Sequence, residues 1–173
     1  GFTFLTLKGD DGQLGYCRPK QKKLDAFTKK IREILKRNRG VSIQRIVAEL
    51  NAYLRGWINY YARSNITSWL RSKASWIRRK IWCYLYKQWK TKGNRIAKLR
   101  EMGSSERWIR RWGYTLGIQS YWKMSGVIAS SLPVSKFYAV TGLIEIEAIY
   151  KRLHAERMMM DKCHGKQLEF VFD

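Results

Sequence analysis

Residues 43–61 read Ile43-Gln44-Arg45-Ile46-Val47-Ala48-Glu49-Leu50-Asn51-Ala52-Tyr53-Leu54-Arg55-Gly56-Trp57-Ile58-Asn59-Tyr60-Tyr61. Apolar side chains recur at Ile43, Ile46, Val47, Leu50, Leu54, Trp57, Ile58 and Tyr61, the three-and-four spacing that puts residues on one helical face. Ser42 stands where an N-cap hydroxyl belongs. A helix with one apolar stripe must cover it against other apolar faces. Gly56 interrupts the pattern; glycine inside a helix costs about 1 kcal/mol relative to alanine. That cost predicts the close approach of another backbone at Gly56.

The flanking sequence supplies the other faces. Upstream, Leu24, Phe27, Ile31, Ile34 and Leu35 share one face of a helix predicted over Lys22–Asn38, with Gly40 as its terminating residue. Downstream, Trp69, Leu70, Trp76, Ile77, Ile81, Tyr84, Leu85 and Gln88 mark one broad face of a helix from Thr67 to about Lys92. Shorter helices follow over 94–102 and 105–112, residues 113–131 read as irregular, and 134–140 and 143–160 read as the last helices. At the other end, the β-prone run Phe2 to Leu7, the turn cluster Gly9-Asp10-Asp11-Gly12 and the return Leu14 to Cys17 predict a hairpin. A lone hairpin is marginal in water, so packing on a sheet outside this chain is expected. The fold class is mainly α: a helical bundle followed by a smaller helical region, with a short N-terminal β-hairpin.

The charge is as informative as the pattern. Lys and Arg number 35 and Asp and Glu 13, giving a net +22 over 173 residues. Eight Trp, ten Tyr and six Phe, with 45% hydrophobic content, exclude a disordered basic tail. The excess is uneven. Residues 1–63 hold 14 basic and 5 acidic side chains, residues 64–125 hold 15 and 2, and residues 126–173 hold 6 of each. These blocks are the expected divisions of the chain. Such an excess repels itself in a compact state and points to a polyanionic partner. Cations alternate with aromatics in Trp76-Ile77-Arg78-Arg79-Lys80-Ile81-Trp82, in Gln88-Trp89-Lys90 and in Arg107-Trp108-Ile109-Arg110-Arg111-Trp112. Nucleic-acid sites combine these two chemistries, cations against phosphates and planes against unpaired bases. At helical spacing, however, Trp57, Trp69 and Trp76 read first as packing residues.

Catalytic chemistry is not legible. Two-metal nucleotidyl transfer needs clustered carboxylates, and the close pair Asp10-Asp11 sits in a glycine-flanked turn. Glu145 and Glu147 are two apart on a helix and do not share a face. Cys17, Cys83 and Cys163 lack the paired spacing of a disulfide framework or a zinc site, and Cys163, His164 and His154 make too small a set for a closed one. No catalytic residue, metal or cofactor is expected, and free thiols fit a cytoplasmic setting. No apolar run reaches the ~20 residues of a membrane span. The opening Gly1-Phe2-Thr3-Phe4 has neither an initiator Met nor a signal pattern, so a longer parent protein is expected.

With the helices placed, the chain resembles the C-terminal part of group II intron-encoded reverse transcriptase/maturases. The resemblance covers about residues 1–153. It runs through Gly1-Phe2-Thr3-Phe4 and Lys23-Leu24-Asp25-Ala26-Phe27-Thr28-Lys29-Lys30-Ile31-Arg32-Glu33-Ile34. Its most specific stretch is Ile46 to Tyr61, with the run Arg55-Gly56-Trp57-Ile58-Asn59-Tyr60, and it continues through Trp76 to Lys80, Gln88-Trp89-Lys90 and Tyr121-Trp122-Lys123. The resemblance implies a thumb-like three-helix bundle followed by a smaller helical region, with a palm-end hairpin and thumb-like helices over 1–63 and a basic maturase-type helical region over 64–125. It implies structured RNA, a group II intron, as the partner, and splicing assistance as the role. It also implies polymerase carboxylates in a palm and fingers upstream of this chain. An RNA–DNA template–primer duplex is the alternative partner, which would make this the processivity part of a polymerase. A membrane-surface binder built on basic amphipathic helices is a third class. The neutral 126–173 segment departs from the basic DNA-binding segment of some members.

Candidate RNA contacts are Lys29, Lys30, Lys36, Arg37 and Arg39 on the first helix and its exit, Arg71, Arg78, Arg79, Lys87 and Lys90 on the long helix, and Arg110 and Arg111 beyond it. Arg55, Gly56, Trp57, Asn59 and Tyr60 are expected to build the scaffold between them.

Overall fold

The computed structural model describes the backbone of residues 2–9, 12–118 and 120–169 and the side chains of 2–4, 17–118 and 120–160. The expected turn residues Asp10-Asp11 and the side chains of Cys163 and His164 lie outside these described residues. Among them the chain forms eight α-helices and one two-stranded hairpin, the mainly α bundle that the periodicity predicts. Strand β1 (Phe2–Gly9) pairs antiparallel with β2 (Gly12–Pro19), Phe2 opposite Pro19 and Gly9 opposite Gly12. Its base is tied to the bundle: Asn65 donates its backbone N–H to the Cys17 carbonyl at 3.0 Å. Phe2 stacks on Tyr60 with ring centroids 5.7 Å apart and meets the edge of Tyr61.

Helices α1 (Gln21–Ile34), α2 (Ile43–Tyr60) and α3 (Thr67–Gln88) form the front of the bundle. Helix α1 stops at Ile34, short of the expected Asn38, because Arg39 folds back and donates from Nη1 to the Ile34 carbonyl at 2.9 Å. That bond fills one of the acceptors a helix end leaves open. Gly40, at φ +66°, turns the chain within the linker rather than capping α1. Three side chains of α3 hold that linker: Tyr84 Oη and Gln88 Nε2 donate to the Val41 carbonyl, and Lys87 Nζ donates to that of Arg37. Ser42 caps α2 as expected, its hydroxyl accepting from Arg45 N–H at 3.3 Å, a contact worth about 1 kcal/mol.

Gly56 corrects an expectation. It is exposed, and a Cβ built there would meet nothing within 4 Å, so no backbone approaches it. Trp57 is half-buried in an aromatic cluster with Phe27 (4.6 Å), Tyr61 (4.5 Å) and Trp69 (5.5 Å). Trp57→Ala is expected to cost about 3 kcal/mol, the lower end for a large aromatic because part of the ring is already wet. A urea melt reads it.

Helix α3 differs from its expected single face: residues 81–86 are all buried. The second half of α3 is enclosed because α6 (Tyr121–Ala129) packs along it, Met124 and Ile128 buried. Residues 113–131 are therefore not irregular; they form a 3-10 turn over Gly113–Gly117 followed by α6. The Gly- and Ser-rich composition suggested a loop, but burial against α3 outweighs weak helix propensity. Helix α3 ends at Gln88 rather than near Lys92, because Lys90 takes φ +53°. A side chain there costs about 1–2 kcal/mol. Lys90→Gly is expected to stabilise the fold by about 1 kcal/mol in a thermal melt, more than the entropy it returns to the unfolded chain.

Helices α4 (Lys92–Glu101) and α5 (Glu106–Trp112) pack on the 3-10 turn; α7 (Val134–Thr141) and α8 (Ile146–Glu169) pack against α2, and α8 also against α3. Arg95 of α4, 1% exposed, closes the end of α3: its Nε donates to the Tyr86 carbonyl and its Nη1 to that of Leu116, with its plane 3.7 Å from the Tyr86 ring centroid. Asn51 of α2 uses both ends of its amide, donating to the Gly142 carbonyl and accepting from Ile144 N–H, which fixes the α7–α8 junction. Tyr150 of α8 donates to the Ser64 carbonyl and accepts from Ile66 N–H, while the ring of His154 stacks on it and meets the Ala62 carbonyl at 2.6 Å. One apolar cluster runs from Phe27 to Tyr150 through all of these elements.

Candidate nucleic-acid interface

Helix α3 carries the candidate interface because of how its residues are spaced. Leu70, Ala74, Ile77 and Ile81 form the buried row. Trp69, Lys73, Trp76 and Lys80, at steps of four, three and four, share another side of the helix. Lys73 Nζ lies 5.4 Å from the Trp69 centroid and 5.5 Å from that of Trp76. Lys80 Nζ lies 5.6 Å from Trp76 and 5.5 Å from Trp122 of α6. Trp122 is 44% exposed, and the Arg79 guanidinium sits 4.0 Å over its ring. From α1, Arg32 reaches to 5.9 Å over Trp76; from the linker, Arg37 lies 5.1 Å over Tyr121. Three elements thus present one ladder in which cations and aromatic planes alternate.

The ladder is crowded with like charge. Burial first, and then the Arg32 guanidinium, hold the Lys73 ammonium below the usual lysine range; Asp25 opposes them. A depressed lysine pKa means the unfolded chain binds more protons, so this group's share of stability rises with pH as it passes through the folded pKa towards 10.5. An anion on the ladder acts the other way and favours the charged form. Arg32→Ala is expected to raise the Lys73 pKa, read from a 13C-lysine NMR titration; an unchanged value would mean that burial alone sets it.

Apart from Asp25, the acids that follow are drawn into pairs outside the ladder. Glu33 pairs with Lys30, Glu49 with Arg39, Glu101 with Lys98, and Glu147 with Arg71. Glu106 takes a bidentate grip from Arg100, which holds its carboxyl below the usual range. Among the described residues no group of three or more His, Cys, Asp and Glu could hold a metal ion, and no helix is long and apolar enough to cross a membrane.

The sequence-predicted contacts fall into two kinds. Lys29, Lys30 and Lys36 are exposed on α1 and its exit, and Lys87 meets the backbone of Arg37, so the α1 and α3 sets are brought together. Lys90 is exposed at the strained turn. Others are engaged in packing: Arg39 with Glu49 and Ile34, Arg71 with Glu147, Arg78 with the Tyr138 hydroxyl at 2.8 Å, and Arg79 with the Trp122 carbonyl at 3.2 Å. Arg110 and Arg111 are exposed on α5, away from the ladder's contacts, with Arg111 over Trp112. In the motif stretch, Arg55 is exposed, Asn59 accepts from Arg157 of α8 at 2.9 Å, and Tyr60 carries Phe2. Sequence reading passed over Arg32, Lys73, Lys80 and Trp122. The four-three-four spacing of Trp69, Lys73, Trp76 and Lys80 was a usable signal for two of them; Trp122 reaches the ladder only through tertiary packing.

The site is thus a cation–aromatic ladder on a helical bundle. Residues 24–103 match the family model for the group II intron maturase-specific domain, from the first buried residue of α1 to the turn after α4. The matched stretch, just under half of the chain, supports a likeness to the C-terminal region of group II intron maturases. No curated protein matches the chain.

Proposed function

We propose that this chain binds folded group II intron RNA and assists its splicing, and that the ladder on α1, α3 and α6 is where the RNA backbone lies. The observation that carries the reading is the overlap of the two: all of the ladder except its α6 residues falls within the matched residues 24–103. Its cations lie along α3 at helical spacing, suited to successive phosphates, and its planes accept unpaired bases. The matched domain is a non-catalytic part of the reverse transcriptase family, so the proposed role is to hold RNA while the RNA does the chemistry. Upstream palm and fingers would complete the protein. Nothing in the geometry favours a template–primer duplex over folded RNA, and anionic vesicles are expected not to compete.

The test is a salt series with a group II intron RNA and a duplex DNA of equal length. Tighter binding to the RNA is expected, with affinity falling roughly 10³–10⁵-fold between 50 and 200 mM salt if six to ten phosphates are engaged. Equal affinity for both would sink the structured-RNA reading.

A further inference from the structure

A second row of α3 runs beside the ladder: Ser68, Ser72, Ser75 and Arg79, again at steps of four, three and four. With Arg71, Trp76 and Trp122 these side chains line an open cleft of about 480 Å³. Across the Arg79–Trp122 pair lies another cleft of about 360 Å³, between α3, α6 and α7. Its floor is Trp82 and Phe137, its rim Ala129, Leu132 and Val134, and Ser75 and Arg79 face both clefts. The first cleft sets hydroxyls and guanidinium groups beside the rings of Trp76 and Trp122; the second has an apolar floor and rim with Ser75, Arg78 and Arg79 at its edge, and is of a size that takes a small planar ligand. Between them the Arg79 Nε is buried with no acceptor among the described residues, although buried donors are almost always satisfied. Arg71 is 66% exposed even though Glu147 holds its Nε, and Arg78 closes the far end on Tyr138.

We propose that these two clefts together hold one unpaired RNA nucleotide turned out of its helix. Its phosphate and ribose lie on the serine row with Arg71 and Arg79, and its base enters the apolar cleft and accepts from Arg79 Nε. The inference rests on the RNA-binding reading and deepens it: beyond the ladder's phosphate and stacking contacts, this site selects RNA with a nucleotide free to leave its helix. An A-form duplex buries its base edges in a groove side chains cannot read, so the unpaired nucleotide is the recognisable feature.

The experiment compares two hairpin RNAs of identical stem, one with a single bulged adenosine and one fully paired, and a third whose bulge is abasic. The bulged hairpin is expected to bind about tenfold tighter than the paired one, with the abasic bulge losing that gain, since one stacked base contributes on the order of tenfold. Val134→Trp, at an exposed rim position, and Ala129→Trp each fill the cleft. In either, the preference is expected to fall to about one while affinity for the paired hairpin stays within about twofold, because the phosphate contacts are untouched. Equal binding of the bulged and paired hairpins by the unaltered protein overturns the nucleotide site and leaves the RNA-binding reading standing. Absence of binding to all three overturns both.

Discussion

Arg95→Leu is expected to lower the unfolding free energy by about 3–5 kcal/mol, because two buried carbonyls each lose a charged donor. The guanidinium is buried with no carboxylate beside it among the described residues; its partners are the carbonyls of Tyr86 and Leu116 and the face of Tyr86. Removing a buried charge can stabilise a protein when it recovers desolvation. Two features decide against that here. The Tyr86 carbonyl belongs to the last turn of α3, where helix acceptors lack N–H partners and a cation is favoured. Leucine also leaves the flat space over the Tyr86 ring unfilled. Arg95→Lys keeps the charge but not the plane or the fork, and is expected to recover less than half the loss. Urea midpoints with an unchanged slope give the numbers; a loss under about 1 kcal/mol would mean that desolvation cancels the contacts.

The triple substitution Arg32→Ala, Lys73→Ala and Lys80→Ala is expected to weaken intron RNA binding about a hundredfold at 0.1 M salt and to reduce the salt slope by about 2–3. Three cations leave one continuous face, and alanine is the best helix former. Removing mutual repulsion at Lys73 offsets the lost packing on Trp69 and Trp76. The melting temperature is therefore expected to hold, which separates this loss from unfolding. Arg78→Ala with Arg79→Ala differs: both guanidinium groups are half-buried against α6 and α7, so that pair is expected to lower stability as well as affinity. An unchanged salt slope in the triple variant would remove the ladder from the interface.

Helix α2 was legible from Ser42 to Tyr61 because a single apolar stripe and a capping serine say the same thing. Helix α6 was not, since Ser125 and Gly126 are weak formers that tertiary burial overrides. The ends of α1 and α3 were misplaced for a shared reason: Arg39 and Lys90 terminate them through side-chain capping and a left-handed φ, and neither leaves a periodic trace. For Gly56, propensity suggested a close contact and the structure shows an open face. The charge excess pointed to a polyanionic partner; the ladder itself depended on α6 bringing Trp122 to α3, a contact between segments some forty residues apart.

The clasp of α8 onto the turn after α2 sets an order of events during synthesis. Tyr150 and His154 meet acceptors at Ser64 and Ala62, and Asn51 awaits Gly142 and Ile144. Those partners leave the site of synthesis about ninety residues later, several seconds at ordinary elongation rates. During that interval α1 to α3 already display their cations while the neutral closing helix is still unmade. An RNA bound as proposed would meet the charged half of the protein before its core is sealed, so that binding and final folding overlap in time.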